Sequence, residues 1–348
     1  MMGFLIDMVA VGYGDAFLLS IDDPVMVDGQ RYVLVDGGPG GDEGTQRLAK
    51  HIREYAAGRI DVVICTHADS DHIRGIVRLA SDYGIPIAQL AVNTPPDFGE
   101  EAILRKTASG LARLYGRVGA VPELSKAISD LADLVSRFED GNIVAPVAGS
   151  YWRFGDTMLT VLSPSQNLLD LWYADLDSGI AGEIDALEKA VSSDNFAALV
   201  GALAEAKQTT PVNNASVVFE ISDVDGPYAL FTGDAGCDTI RDCTGGKRYQ
   251  FLKVPHHGSE SGIDEELARQ LRPRTAFVSV GPNSYGHPNE SVLELVTAQG
   301  GRVFCSEKLE TCASTCDRDW GDVICQPHLR RSRRAWSTLD VTQCPYNQ

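Results

Sequence analysis

Two distant stretches of the sequence carry the same pattern of β-rich runs, and this repeat constrains the fold more than any other feature. Residues 14–38 and residues 214–234 each contain two apolar runs joined by an acidic turn. Each stretch ends in a glycine-flanked aspartate, Asp36 in the first and Asp234 in the second. Because β-prone runs separated by a short turn are typical of hairpins, each stretch is predicted to form one.

The repeat continues beyond both hairpins. A third run, residues 61–65, is followed closely by His67, and its counterpart, residues 251–255, is followed by His256. A duplicated β-rich half predicts an α/β fold in which two sheets pack face to face with helices outside. The strand ends of both halves then meet at one edge, where loops place functional side chains.

Four potential metal ligands follow the third run of the first half within six residues. They are His67, Asp69, Asp71 and His72. Imidazole and carboxylate groups at this density suit a divalent ion such as Zn²⁺ or Mn²⁺. Gly75 and the short polar residues around it favour a tight turn over a helix for this segment.

The second half supplies further candidate ligands. Asp234 at a strand end is suited to bridge two ions, and His256 or His257 offers another imidazole. Two ions about 3.5–4 Å apart lower the pKa of a bridging water and polarise a phosphoryl or acyl oxygen. Asp36 is interpreted as orienting a metal-bound imidazole, with a simple turn residue as the alternative.

Two more residues are assigned to the chemistry on weaker patterns. His287 stands before a proline and is predicted to donate a proton to a leaving group, or else to belong to a turn. Lys253 is predicted to assist at the leaving group or bind an anion, with a charge at a strand edge as the alternative.

The rest of the chain is organised around this repeat in one predicted domain, residues 1–348. Periodic segments predict helices near residues 41–57, 263–271 and 291–298. Residues 97–211 are predicted to be a mostly helical insertion, interrupted by a short β segment at 151–164.

Two segments outside the repeat carry separate predictions. Between Asp170 and Asp194 the insertion is acidic, and this part is a candidate surface for a basic protein partner. Residues 305–348 form a cysteine-containing C-terminal extension. Its cysteines fit a zinc site, disulfides or free thiols, and their spacing does not choose among these.

The charge and apolar patterning limit the partners of the chain. The formal net charge of the 348 residues is −18. A protein that holds nucleic acid by its phosphates normally offers a basic face, so non-specific binding of nucleic acid is not expected for this chain. Local capture of a phosphodiester at a metal centre remains compatible with the negative charge. The absence of a basic leader and of a long apolar run predicts a cytoplasmic protein without a membrane segment.

The motif His67-x-Asp69-x-Asp71-His72 resembles the metal signature of the metallo-β-lactamase superfamily, although most members have histidine in place of Asp69. Together with further motifs in the same order, it is similar to the hydrolase domain of the ComEC competence proteins. These further motifs are residues 11–16, 213–216, 232–234, 252–259 and 285–288.

The resemblance implies an αββα sandwich of the metallo-β-lactamase type, with a helical insertion and two divalent ions, Zn²⁺ or Mn²⁺. His67 and Asp69 would bind one ion, and Asp71 and His72 the other. Asp234 would bridge them. His256 is favoured over His257 for the last imidazole. The residues expected beside the ligands are Asp36, Asn214 and Ser259, and Asn214 stands where the superfamily has another histidine.

The resemblance also implies nuclease or phosphodiesterase chemistry, in which a hydroxide activated by two metal ions attacks phosphorus. Asp71 and Asp234 are the carboxylates expected to take part in catalysis. Single-stranded nucleic acid is the first expected substrate, and a nucleotide the second. Two alternatives stay open at this point. One is an acyl hydrolase of the same fold that acts on a lactone, thioester or amide, and the other is a metal-stabilised interaction module without turnover.

Overall fold

The computed structural model of the chain describes residues 3–94, 130–174, 213–306, 328–332 and 335–336. Strands in the first part of the chain are β1 (Phe4–Met8), β2 (Phe17–Asp22), β3 (Gln30–Val35), β4 (Ile60–Ile64), β5 (Ile87–Ala91), β6 (Ile143–Val144), β7 (Tyr151–Phe154) and β8 (Thr157–Ser163). Those in the second part are β9 (Val218–Asp223), β10 (Gly226–Phe231), β11 (Phe251–Lys253), β12 (Thr275–Val278), β13 (Arg302–Cys305), β14 (His328–Ser332) and β15 (Ala335–Trp336).

Helices lie between these strands. They are α1 (Asp42–Tyr55), α2 (Ser70–Ser81), α3 (Cys237–Thr244), α4 (Glu265–Leu271) and α5 (Glu290–Ala298). Asn289 caps α5, because its side chain accepts a hydrogen bond from the backbone N–H of Ser291. Helical residues also occur at 130–135 and 166–174.

None of the helices within the described residues is long and apolar enough to cross a membrane.

The strands form two sheets with the same pairing pattern in each half. The first sheet has the order β15-β14-β1-β2-β3-β4-β5-β6, and the second has the order β13-β12-β11-β10-β9-β8-β7. In the first, β2 and β3 form an antiparallel hairpin, and β4 and β5 continue in parallel. In the second, β9 and β10 form the hairpin, and β11 and β12 continue in parallel. The repeat read from the sequence is therefore a repeat of topology.

The two sheets pack face to face, because alternate residues of one strand serve different layers. In β2, Phe17 and Leu19 join the core between the sheets, whereas Leu18 joins the core that also contains residues of α1 and α2. On the far side, α3, α4 and α5 pack against the second sheet through a third core. The predicted sandwich of two sheets between outer helices is confirmed.

Part of the predicted insertion contributes to both sheets. Strand β6 pairs with β5 in the first sheet, and β8 pairs with β9 in the second. The predicted β segment at 151–164 is thus present as β7 and β8. Residues 95–129 and 175–212, with most of the acidic stretch, lie outside the described residues, as do Cys312, Cys316 and Cys325.

Candidate metal centre

The predicted ligands lie where β4, β10 and β11 end, at one edge of the sandwich. The turn prediction is wrong for Asp71 and His72, because α2 begins at Ser70 and Asp69 is its N-cap residue. The apolar residues that follow have helical spacing and are buried, and this burial outweighs the turn tendency of the polar segment. They are Ile73, Ile76 and Leu79. Asp71 and His72 therefore project from the first turn of a helix.

His72 is fixed by a buried carboxylate. Its Nδ1 lies 2.8 Å from Oδ2 of Asp36, and both side chains are fully buried. The same carboxylate accepts hydrogen bonds from the backbone N–H and the hydroxyl group of Thr66, each at 2.7 Å. With Nδ1 donating to Asp36, Nε2 of His72 presents its lone pair to the centre.

His257 and His67 are oriented in a similar way. Nδ1 of His257 lies 2.8 Å from the carbonyl oxygen of Ser279, so this nitrogen carries the proton and donates it. Nδ1 of His67 lies 3.0 Å from the hydroxyl oxygen of Thr66. In each ring the other nitrogen, Nε2, is left to face its neighbours in the centre.

Two carboxylates converge on these imidazoles. Oδ2 of Asp234 lies 3.4 Å from Nε2 of His72 and 3.3 Å from Nε2 of His257. Oδ2 of Asp71 lies 3.3 Å from Nε2 of His257 and 3.8 Å from Nε2 of His72. The ligand atoms of both halves of the repeat thus meet around a small common volume.

The structure brings His257 rather than His256 into this cluster. His257 is fully buried, whereas the side chain of His256 is 26% exposed and its Nε2 lies 3.8 Å from Asp234. Both residues have positive φ, 49° and 53°, inside the turn Pro255–Gly258. This backbone conformation sends the two adjacent side chains in different directions, which the sequence pattern does not reveal.

Asp15 is a member of the cluster that sequence reasoning did not select. It is buried, and its carboxylate contacts the ammonium group of Lys253 and lies 3.5 Å from Nδ1 of His257. The only signal for it was its place in the glycine-rich segment 11–16, at a loop before β2. Its role depends on contacts with residues that are more than 230 positions away.

Lys253 is enclosed by acceptors. Its side chain is 1% exposed, and Nζ donates to the carbonyl oxygen of Gly233 at 2.7 Å and lies 3.3 Å from Oδ1 of Asp234. Together with the contact to Asp15, these bonds occupy the ammonium group. The ammonium group of Lys253 is therefore paired with the carboxylates of Asp15 and Asp234.

The electrostatics of the cluster follow from this crowding. Burial lowers the pKa of His257, but the carboxylates of Asp234 and Asp15 outweigh it and raise that pKa to about 10. Burial raises the pKa of Asp234, but His257, His72 and Lys253 hold it well below its usual range. The centre is therefore a set of paired charges, in which the carboxylate of Asp234 stays ionised and available to a cation.

The donor set fits divalent metal ions. In the described part of the chain, Nε2 of His67, His72 and His257 and Oδ1 of Asp15 are buried without a hydrogen-bond partner. Buried polar atoms are normally paired, and all four of these belong to residues of the cluster. Groups whose ligand atoms lie within 4.8 Å of one another are His67–His72–Asp234, Asp71–His72–His257, Asp15–Asp234–His257 and Asp15–Asp36–His72.

The remaining predicted residues lie around the cluster. Asp69 is 35% exposed, and its Oδ2 lies 3.6 Å from Nε2 of His67. Asn214 is exposed, and its side-chain oxygen accepts a hydrogen bond from the backbone N–H of Gly236. Ser259 pairs with Ser261, whose hydroxyl oxygen lies 3.4 Å from Nδ1 of His256.

His287 lies beside His256, with 5.7 Å between the two ring centroids. It is partly buried, and this burial lowers its pKa. Among the described residues, His287 belongs to none of the groups of ligand atoms, so its place is at the margin of the cluster rather than inside it.

Comparison with known proteins shows which family the chain matches. The model of the metallo-β-lactamase superfamily matches residues 23–281. A stretch of 108 residues is 33% identical to ComE operon protein 3 of Bacillus subtilis (strain 168), which covers 30% of this chain and 14% of that protein. The chain thus matches only a small part of the length of that relative.

Solved structures with a similar fold include the metallo-β-lactamase fold protein YhfI from Bacillus subtilis. The TM-score is 0.43 at 11% identity, over 87% of this chain and 97% of that chain. A metallo-β-lactamase from Staphylococcus aureus subsp. aureus COL gives a TM-score of 0.32 at 11% identity, over 90% and 57% of the two chains. These similarities concern the fold alone.

Proposed function

The chain belongs to the metallo-β-lactamase superfamily, which supports a metal-dependent hydrolase in general, and we propose that this hydrolase is a phosphodiesterase or nuclease. The observation that carries the proposal is the convergence of the imidazoles of His72 and His257 on the carboxylates of Asp71 and Asp234, with His67 grouped beside His72 and Asp234. The similarity of the motifs to the hydrolase domain of the ComEC competence proteins supports a phosphodiester as the substrate.

The proposed cofactors are two divalent ions, Zn²⁺ or Mn²⁺. His67, His72 and Asp234 would hold one of them, and Asp71 and His257 would hold the other, with His72 and Asp234 close to both. When bound, such ions lower the pKa of a water molecule and polarise a phosphoryl oxygen.

The residues around the ligands prepare the site for this chemistry. Asp36 holds the ring of His72, and the carbonyl group of Ser279 holds the ring of His257, so both lone pairs point in fixed directions. Lys253 lies between Asp15 and Asp234 and limits the repulsion between their carboxylates. We assign it this positioning role in place of a contact with the leaving group.

The proton for the leaving group is assigned to His287. Its ring is partly buried at the margin of the cluster next to His256. In its protonated form, whose population falls as the pH rises because burial lowers the pKa, His287 supplies a general acid without competing for the ligand positions of His67, His72 and His257. Single-stranded nucleic acid or a nucleotide is the proposed substrate.

The proposal is tested by turnover of a labelled single-stranded oligonucleotide and of bis-p-nitrophenyl phosphate. The protein is first stripped with a chelator and then reloaded with Zn²⁺ or Mn²⁺. We expect cleavage to return with one of the ions and to fall at least about a hundredfold in Asp71→Ala. Asp28→Ala is the matched control, because Asp28 pairs with Arg59 at the surface, and it keeps full activity.

Two results would contradict the proposal. One is hydrolysis of acyl esters without hydrolysis of either phosphodiester, which would assign the same centre to acyl transfer. The other is phosphodiester cleavage that survives in Asp71→Ala, since the activity would then arise elsewhere or from a contaminant.

A further inference from the structure

Five aromatic side chains form a closed circle next to the metal centre. In order they are His257, Tyr13, Tyr285, His287 and His256. The distances between successive ring centroids are 4.6, 5.4, 6.1 and 5.7 Å, and His256 and His257 close the circle at 6.3 Å. Separations of this size are typical of interacting aromatic rings. The circle begins at a candidate ligand, His257, and extends away from the centre.

Tyr285 is the most exposed ring of this circle. Its plane is inclined by 29° to that of Tyr13 and by 17° to that of His287, so Tyr285 has a stacked orientation to each of them. Tyr285 nevertheless remains 65% exposed. A large apolar ring is therefore presented to solvent directly beside a buried polar cluster.

The loop that carries Tyr285 is held in shape by one asparagine. Nδ2 of Asn283 donates to the carbonyl oxygens of Gly281 and His287, at 2.9 and 2.7 Å. Its Oδ1 accepts hydrogen bonds from the backbone N–H groups of Tyr285 and His287, at 3.0 and 3.2 Å. Four hydrogen bonds from one side chain fix the loop, so the exposed ring has a defined position before any ligand binds.

The loop that carries Tyr13 is locked against the same part of the molecule. The hydroxyl group of Ser279 donates to the carbonyl oxygen of Gly14 at 2.6 Å. Gly281 lies so close to the backbone of Gly12 and Tyr13 that a Cβ there would approach it to 2.4 Å. The two tyrosine loops are thus joined by backbone contacts, and their rings form one rigid surface.

We propose that Tyr285, backed by Tyr13, is a stacking site for a nucleobase of the substrate. This inference rests on the proposed function, because the phosphate group would lie at the metal centre while the attached base lies on the rings. A rigid aromatic surface stacks any base, since every base has a π face. It also supplies affinity that a chain of net charge −18 does not obtain from basic contacts with phosphates.

The proposal is tested by calorimetric titration of the Zn²⁺-loaded protein with two ligands that are not phosphodiesters, so no turnover is needed. One is deoxyadenosine 5′-monophosphate, and the other is 2-deoxyribose 5-phosphate, which lacks the base. We expect the nucleotide to bind roughly tenfold or more tightly than the sugar phosphate. In Tyr285→Ala this preference is lost, whereas Tyr285→Phe retains it.

Tyr151→Ala is the matched control, because Tyr151 is also 65% exposed but lies on β7, at one edge of the second sheet. Tyr285 follows β12, which lies near the other edge. Tyr151→Ala keeps the full preference. Equal binding of the two ligands by the wild-type protein would overturn the inference, and so would an equal loss for both ligands in Tyr285→Ala. Either result leaves the phosphodiesterase activity to be tested separately by the turnover experiment. If the base preference is present but no phosphodiester is cleaved, only the proposed function is refuted.

Discussion

Three residues in or beside the metal centre have a left-handed backbone conformation that non-glycine residues rarely adopt. They are Asp36, His256 and His257, with φ of 57°, 49° and 53°. Each such residue costs on the order of 1–3 kcal/mol, and the surrounding contacts must compensate for it. For Asp36, the compensation comes from the hydrogen bonds with Thr66 and His72. The strained conformations place the side chains where regular strands and helices cannot.

Lys253 is a second single residue on which the stability of the centre depends. Its ammonium group lies between the buried carboxylates of Asp15 and Asp234. Lys253→Met keeps the length of the side chain but leaves both carboxylates without this cation. We expect the free energy of unfolding of the metal-free protein to fall by about 3–5 kcal/mol, measured by urea denaturation in the presence of a chelator.

Lys247→Met serves as the control for this prediction. Lys247 also pairs with a carboxylate, that of Glu220, but its side chain is 43% exposed. Because Lys247 itself stays in contact with water, removing it costs less than removing a fully buried cation. If Lys253→Met were no more destabilising than Lys247→Met, the buried ion pair would not have the positioning role assigned to it.

At the scale of elements, the docking of α2 decides where Asp71 and His72 lie. The helix packs closely on the loop after β3, and the backbone N–H of Gly37 donates to the carbonyl oxygen of His72 at 2.8 Å. Gly75 is in contact with this loop, and a Cβ at that position would lie 1.7 Å from the carbonyl oxygen of Gly37. Since the loop also carries Asp36, a shift of α2 separates His72 from its hydrogen-bond acceptor.

Gly75→Ala should therefore move the first turn of α2. We expect a destabilisation of about 1–3 kcal/mol, as for other overpacked sites, and a lower content of bound metal. Thermal unfolding and elemental analysis after loading with Zn²⁺ measure the two effects. Gly141→Ala is the control, because Gly141 has no positive φ and no atom near its Cβ position, so stability should stay within about 0.5 kcal/mol. A stable, fully metallated Gly75→Ala protein would show that α2 does not need this close contact.

At the scale of the whole molecule, the centre joins the two halves of the repeat. His67, Asp71 and His72 come from the first half, and Asp234 and His257 from the second. A metal ion bound to ligands from both halves stabilises the folded state relative to the unfolded chain, in which these residues are far apart.

Metal removal should therefore lower the stability of the entire sandwich. With free Zn²⁺ at about a hundredfold above its Kd, the folded state gains about 2.7 kcal/mol, which raises the Tm. Differential scanning calorimetry with and without a chelator measures this gain. The double variant Asp71→Ala with Asp234→Ala should keep the fold but show no such dependence on metal. A metal-dependent Tm in the double variant would place the stabilising ion outside the proposed centre.

Local patterns in the sequence were enough to predict the class of fold and the region of the chemistry. Strand and turn patterns are local, so the hairpins of both halves and their repeat were readable without tertiary contacts. The motif at residues 67–72 also predicted the family, which is confirmed. The ligand set and the phosphodiesterase activity stay predictions, because neither the family nor the fold tests them.

Which side chains share the centre depends on contacts between distant parts of the chain. The tertiary structure placed Asp71 and His72 on a helix, brought His257 inward in preference to His256, and added Asp15. The physical reason is the distance along the chain, since contacts such as that between Ser279 and Gly14 join residues 265 positions apart. Local propensity cannot specify such contacts, and they form only when both sheets pack against each other and bring their edges together.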